Sequence, residues 1–189
     1  LLRTLHDVKI GSVLREELPK LIGALGDENF FADRLQRQNA GEGNLLVAWS
    51  AGQAIGVVFL WTAPAEESEI RTHLPGVPLL NHLEVRAEHR GLGVGTNLVD
   101  AAEGFLSERG YQRVALAVTV DNTDAERLYR RLHYTRVPAL AEVKCRYDVE
   151  LADGSRESDW EVCRVLVKDL RVSSGQDRAP TSPYPARLS

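Results

Sequence analysis

The stretch Arg90-Gly91-Leu92-Gly93-Val94-Gly95-Thr96 limits what this chain can become more than any other segment. It follows the apolar run Leu79-Leu80-Asn81-His82-Leu83-Glu84-Val85. The order reads as a strand that ends, a glycine-rich turn, and a helix from about Gly93 through Arg109. Three glycines in five residues leave backbone N–H groups unshielded by side chains. At a helix N-terminus such donors point outward, and the helix dipole adds partial positive charge to them. That arrangement binds phosphate or pyrophosphate, and Arg90 brings a formal positive charge to the same place. A phosphate-bearing cofactor held by backbone is therefore expected.

Two common phosphate loops do not fit. The dinucleotide fingerprint needs G-x-G-x-x-G, and here the third glycine comes one position early; no acidic residue stands at the end of the next strand, Arg113 to Thr119. A P-loop needs Gly-Lys-Ser/Thr, which is absent. The pattern that does fit is Arg/Gln-x-x-Gly-x-Gly/Ala, on Arg90, Gly93 and Gly95. Beyond it, Leu98, Val99, Ala102, Phe105 and Leu106 share one helix face, and Gly110 suits the helix end. Next come the strand Val114-Ala115-Leu116-Ala117-Val118 and the run from Asp121 to Tyr134. That run is similar to Asn-x-x-Ala-x-x-Leu-Tyr-x-x-x-Gly-Phe/Tyr, with Asn122, Ala125, Leu128, Tyr129 and Tyr134 matching and His133 standing where Gly is usual.

Two motifs in this order, separated by one helix and one strand, resemble the GNAT family of N-acetyltransferases over roughly residues 45 to 137. The resemblance implies an α/β (α+β) fold with a mixed, mostly antiparallel sheet flanked by helices on both faces. It implies acetyl-CoA as acetyl donor, lying in a gap between the strand before the loop and the strand after its helix. The cofactor arm would pair with backbone at Leu83, Glu84 and Val85, above all Val85. The pyrophosphate would sit over the amides of Gly91, Leu92, Gly93, Val94, Gly95 and Thr96, beside Arg90. Asn122 would contact the cofactor arm or cap the helix that starts near Thr123; both roles stay open, because Asn is a preferred N-cap. Tyr129, seven residues later on about the same helix face, is implied as the acid that protonates the leaving thiolate.

An acceptor amine arrives mostly protonated, so the reaction also needs a base. Some relatives carry Glu where Ala117 stands here. On the strand before the loop, Asn81 is placed to face the acceptor and order a water. Strict alternation groups Asn81 with Leu83 and Val85, and sets His82 and Glu84 on the other side unless a bulge intervenes. Tyr129, Asn81 and Glu84 are the catalytic candidates. Other relatives place Glu or His on the strand before the loop, which makes both Glu84 and His82 candidates for the base, although each reads first as a polar residue at a helix–sheet boundary; His133 reads as structural.

Elsewhere, Ile10, Val13, Leu14, Leu18, Leu21, Ile22 and Leu25 recur at helical spacing. A second helix is predicted over Phe30 to Gln38. Leu45–Ser50 and Ile55–Thr62 read as a hairpin. The segment 63–78 reads as a loop walling the acceptor site; its trio Glu66, Glu67 and Glu69 could attract an amine, although Glu66 and Glu67 read first as a solvated charge run. A longer hairpin follows, with Val143, Cys145, Tyr147, Val149 and Leu151 alternating, a turn at Asp153-Gly154, and Trp160 to Val167 returning. Its outer edge is a candidate homodimer contact. Cys145 and Cys163 fall on its two strands as thiols, with no metal-ligand spacing, and no metal is expected.

The domain is expected to span residues 1–170, with 171–189 as a Ser/Pro/Arg-rich tail. The net charge of −4 disfavours nucleic-acid binding. No apolar run approaches a membrane span and no signal peptide is evident, so the chain is expected to act in the cytoplasm. The missing first Met reads as trimming. The expected acceptor is a primary amine on a small molecule, with an amino sugar or aminoglycoside-type antibiotic as one class. The alternatives are a protein N-terminus or lysine as acceptor, and an acyl-CoA-binding protein without catalysis.

Overall fold

The glycine-rich turn does join a strand to a helix. In the computed structural model, which describes residues 7–150 and 156–170, β4 (Leu79–Val85) ends, a 3-10 turn (Ala87–His89) follows, and α4 runs from Val94 to Glu108. The strand after it, β5 (Arg113–Thr119), lies parallel to β4, and every other strand pair is antiparallel. The remaining strands are β1 (Lys9–Ser12), β2 (Gly43–Ser50), β3 (Gln53–Trp61), β6 (Thr135–Arg136), β7 (Val143–Glu150) and β8 (Arg156–Asp169). Their order across the sheet is β1-β2-β3-β4-β5-β8-β6, with β7 pairing β8.

Two layers of helix cover this sheet. Val94, Leu98, Val99, Ala102 and Leu106 of α4 pack on Leu46, Val58, Leu80 and Leu116, joined by Tyr129 of α5 (Thr123–Arg131). The opposite face holds Leu21 of α1 (Leu18–Leu25) and Phe31 and Leu35 of α2 (Glu28–Asn39), against Leu45, Val57 and Phe59. Further along that face, Ile70 of α3 (Ser68–His73) packs with Ala115, Leu140 and Val165. The period-two alternation of β2 and β5 produces this division, because successive side chains leave opposite faces.

The N-terminal segment differs from its predicted helix. Ile10 lies in β1, paired with Ala48, and only Leu18–Leu25 is α-helical. Pro19 explains the boundary: it lacks an N–H and is tolerated in the first helical turn, where α1 places it. Residues before it pair instead with the free edge of β2. The segment 63–78 is not all loop, since it contains α3. Only Ile70 of that six-residue helix is buried, so the sequence carries no usable periodicity there. Asp153-Gly154, Leu151 and the tail at 171–189 lie outside the described residues.

The second helix and the β2–β3 hairpin form as expected. Asp27 caps α2 by accepting from the Phe30 N–H at 2.9 Å. Ala51 and Gly52, with φ of 49° and 77°, make the two-residue turn between β2 and β3. His133 has φ 68°, the left-handed conformation that Gly adopts without strain. Cys145 and Cys163 are buried free thiols on neighbouring strands, diagonal rather than opposite in register. Among the described residues no helix is long and apolar enough to cross a membrane, and no cluster of His, Cys, Asp or Glu is arranged to hold a metal.

Candidate active site

The parallel contact between β4 and β5 is brief. It joins Leu79 to Ala115 and Leu80 to Leu116, and no further residues pair. From Asn81 onward the strands part, and the backbone of Leu83, Glu84 and Val85 is not paired with β5. A central sheet rarely leaves such groups unpaired, since they are strong hydrogen-bonding groups. The opening is a slot into which an extended, amide-bearing chain can insert.

The glycine loop lies beside the end of β4. Gly91 and Gly93 have φ of 72° and 85°, and a Cβ at either would project into open space. Gly93 is the N-cap of α4 and no side chain caps the helix. The first-turn N–H groups of Val94, Gly95 and Thr96 therefore have no capping side chain, with the dipole behind them. The Val94 side chain is buried in the core, so Val94 can offer only its backbone. A Cβ on Gly95 would lie 3.7 Å from Val85 and 3.9 Å from Leu83, which places the helix start directly over the strand end. Arg90 Nε donates to the Val85 carbonyl at 2.9 Å, tying loop to strand. In the preceding turn, His89 Nδ1 is a buried nitrogen without a hydrogen-bond partner. A pyrophosphate would be held there by the amides of Gly91 through Thr96.

Asn122 takes the capping role. Its Oδ1 accepts from the Ala125 N–H at 3.0 Å, which starts α5. The buried side chains of that helix are Glu126 and Tyr129, one turn apart. Glu126 is held by Arg136 and by Arg164, the latter at 3.4 Å. Tyr129 is 8% exposed and meets Tyr134 edge-on, with ring centroids 5.6 Å apart. Burial pushes its phenol up to about 12, so it keeps its proton. No described group accepts from its hydroxyl. Tyr134 behind it donates to Glu103 at 2.9 Å, and Lys168 also donates to Glu103, at 2.6 Å. These bonds fix the second ring and leave Tyr129 as the phenol without a partner.

On the α2 side of the sheet, β4 carries a bulge. Glu84 pairs with Val57 and Asn81 with Phe59, so His82 and Leu83 together oppose Val58. His82 takes up the extra residue with φ 50°, a conformation that costs a non-glycine residue about 1 kcal/mol. Strict alternation fails here as a consequence. Asn81 and His82 both line one cavity of about 350 Å³, together with Phe30, Arg34, Trp61 and Tyr147. The His82 ring packs against Phe30 at a tilt of 38° with centroids 4.1 Å apart, and its Nε2 is 3.1 Å from Glu84 Oε2. Burial lowers the His82 pKa despite the nearby Glu84 carboxylate, so the ring is neutral near pH 7. The Arg34 guanidinium lies 4.6 Å over Phe30.

Sequence reasoning weighed His82 but missed Phe30, Arg34 and Tyr147. The last three reach the cavity from α2 and β7, which no local motif connects to β4. A bulge signal for His82 is absent from the sequence, because the bulge is a property of the pairing with β3. A larger concavity of about 660 Å³ lies along the C-terminal half of α4, by Asp100, Glu103, His133 and Lys168. It holds none of the glycine-loop residues and neither of the divergent strand ends.

Comparison with known proteins agrees with this geometry. A profile of the acetyltransferase (GNAT) family matches residues 11–134. Mycothiol acetyltransferase from an Arthrobacter species is 33% identical over 97 residues, 50% of this chain and 28% of that protein. The chain thus spans little more than a quarter of that relative's length. Ribosomal-protein-S18-alanine N-acetyltransferase from Escherichia coli superposes with a TM-score of 0.62 at 15% identity, covering 92% of this chain and all of that one. A GNAT family acetyltransferase from Elizabethkingia anophelis, solved with acetyl-CoA bound, gives 0.57 at 13% identity, covering 87% of this chain and 99% of that one. At such identities the two structures speak for the fold alone.

Proposed function

The chain belongs to the acetyltransferase (GNAT) family, whose acetyl donor is acetyl-CoA, and we propose that it acetylates the primary amine of a small molecule by direct attack. One observation carries this reading: the uncapped, glycine-lined start of α4 opens beside the parting of β4 from β5. The amides of Gly91 through Thr96 hold the pyrophosphate, and the edge of β4 at Leu83 to Val85 that β5 leaves unpaired receives the cofactor's amide-bearing arm. Bound acetyl-CoA supplies an activated thioester carbonyl. Tyr129 supplies a proton to the departing sulfur, for which its burial and unengaged hydroxyl suit it.

The cavity beside Asn81 supports a small acceptor. Its volume of about 350 Å³ is at the low end of small-ligand sites. Glu66 and Glu67 at its wall favour a cationic amine, and Arg34 gives it a second polar anchor. Amino sugars of the aminoglycoside type fall within this class. A protein N-terminus is the second reading; the Escherichia coli enzyme that shares this fold is named for such an acceptor.

A thiol-release assay with acetyl-CoA tests these readings against a panel of amino sugars, polyamines, amino acids and peptides. Turnover with a small amine, lost in Tyr129→Phe while acetyl-CoA binding persists, supports the proposal. Turnover confined to peptides selects the second reading. Tight acetyl-CoA binding without turnover of any amine leaves a binding protein.

A further inference from the structure

We propose that Glu103 is a positioning residue for the transfer, and that it fixes the ring of Tyr129 by way of Tyr134. This rests on the acetyl-transfer reading above, in which Tyr129 gives its proton to the departing sulfur. The end of α5 carries the first part of the argument. The Tyr134 N–H donates to the Tyr129 carbonyl at 3.0 Å, and the His133 N–H donates to the Arg130 carbonyl at 3.1 Å. With His133 at φ 68°, these two bonds form the paired closure around a left-handed residue that commonly ends a helix. In that closure the residue beyond the left-handed one packs on the last turn. Here those two residues are Tyr134 and Tyr129, and their rings meet edge-on.

The second part is what holds Tyr134. It is 2% exposed, and a buried hydroxyl needs an acceptor. Glu103 of α4 supplies one, with Oε1 2.9 Å from the phenol oxygen. The other oxygen, Oε2, accepts from Lys168 Nζ of β8 at 2.6 Å. That ammonium also lies 5.5 Å from the centre of the Tyr134 ring. The Glu103 and Lys168 side chains are only 14% and 20% exposed, so water competes little for either bond. The carboxylate thus holds one donor on each oxygen, and both bonds are charge-assisted. Tyr134 is tied to a helix and a strand that are distant from it in the chain.

This tether has a consequence for the chemistry. The first turn of α4 is where a pyrophosphate would be held, and Glu103 lies about two turns further along the same helix. One rigid element then carries both the phosphate-binding amides and the anchor of the acid, and sets the reach of the phenol toward the sulfur. Glu103 also separates the roles of two touching phenols. Burial, and then the Glu103 carboxylate, push the Tyr134 pKa far up, and its hydroxyl is already engaged as a donor. Tyr129 keeps a hydroxyl that no described group accepts from.

Two measurements test the assignment. The first needs no acceptor: NMR of the protein labelled with ¹³C at tyrosine Cζ follows the Tyr129 ring, identified by the signal lost in Tyr129→Phe. That signal should move in Glu103→Leu, and by less in Glu103→Gln, which keeps an acceptor oxygen. An unmoved Tyr129 signal in Glu103→Leu overturns the proposal. The second is thiol release with the best amine of the panel. Tyr134→Phe and Glu103→Leu should each lower kcat roughly tenfold, because a misplaced proton donor loses rate. Acetyl-CoA affinity by calorimetry should stay unchanged in both. The double variant should lose no more than either alone, since both changes cut one tether. Glu103→Gln should recover most of the loss. Tyr134→Phe removes only a hydroxyl, so it tests the tether even if Glu103→Leu does not fold. A wild-type kcat in Tyr134→Phe, a loss of roughly 10² in the double variant, or a matching fall in acetyl-CoA affinity overturns the proposal. If no amine is turned over, the transferase reading fails, and the tyrosine signal still decides whether Glu103 holds Tyr129.

Discussion

Tyr129 shows how an environment assigns a role to a residue. The phenol is buried, its ring is braced edge-on by Tyr134, and Glu103 engages the Tyr134 hydroxyl instead. Burial raises Tyr129 to about 12, so the acid form persists across the working range. The sign follows directly: deprotonation would remove activity as pH rises through that value, well above neutrality. A profile of kcat/KM up to about pH 10.5 should therefore show no falling limb from Tyr129. Tyr129→Phe should lower kcat by about 10²-fold without changing the profile's shape above pH 8. A falling limb near pH 9 that disappears in the variant would show that the phenol is less buried than described.

At the scale of elements, the contrast between α4 and α5 is informative. Both begin near the site, yet α5 is capped by Asn122 and α4 by nothing but Gly93. A side-chain cap is worth about 1 kcal/mol to a helix, so its absence from α4 costs stability that an anion can return. Gly93→Val tests this. The variant places a branched side chain at φ 85° and projects it into the open surface over the loop. Strain of about 1–2 kcal/mol should appear mainly as weaker acetyl-CoA binding, roughly tenfold or more by calorimetry. Fold and secondary structure by circular dichroism should be retained. Unchanged affinity would mean that the pyrophosphate does not use this loop.

For the molecule as a whole, a buried charge joins the motif helix to the far side of the sheet. Glu126 lies one turn before Tyr129 and is gripped by Arg136 of β6 and Arg164 of β8, whose guanidinium also reaches the Val120 carbonyl. Removing one member of such a group leaves uncompensated charge. Glu126→Gln should cost about 3 kcal/mol, the low end for a buried pair because Arg136 is half exposed. That corresponds to a fall in Tm of roughly 6–12 °C for a chain of this size. Thermal unfolding of the variant checks it, and a shift of under a degree would show that α5 is held by its apolar contacts alone.

The sequence by itself determined the strand–turn–helix around Gly91 to Thr96 and the capped helix from Asn122 to Tyr129. Both are written locally, in glycines that free the backbone, in a cap residue, and in side chains repeating at helical spacing. Periodicity also marked the β2–β3 hairpin, and the resemblance of the two motifs to the GNAT family implied the α+β class. Tertiary structure alone decided the rest. Leu80 is the last residue of β4 to pair with β5, and His82 is turned by a bulge that exists only through the register with β3. Phe30, Arg34 and Tyr147 meet His82 from elements far away in the chain. The physical reason is the same in each case: pairing and packing between distant segments set these positions, and no neighbour in the chain records them.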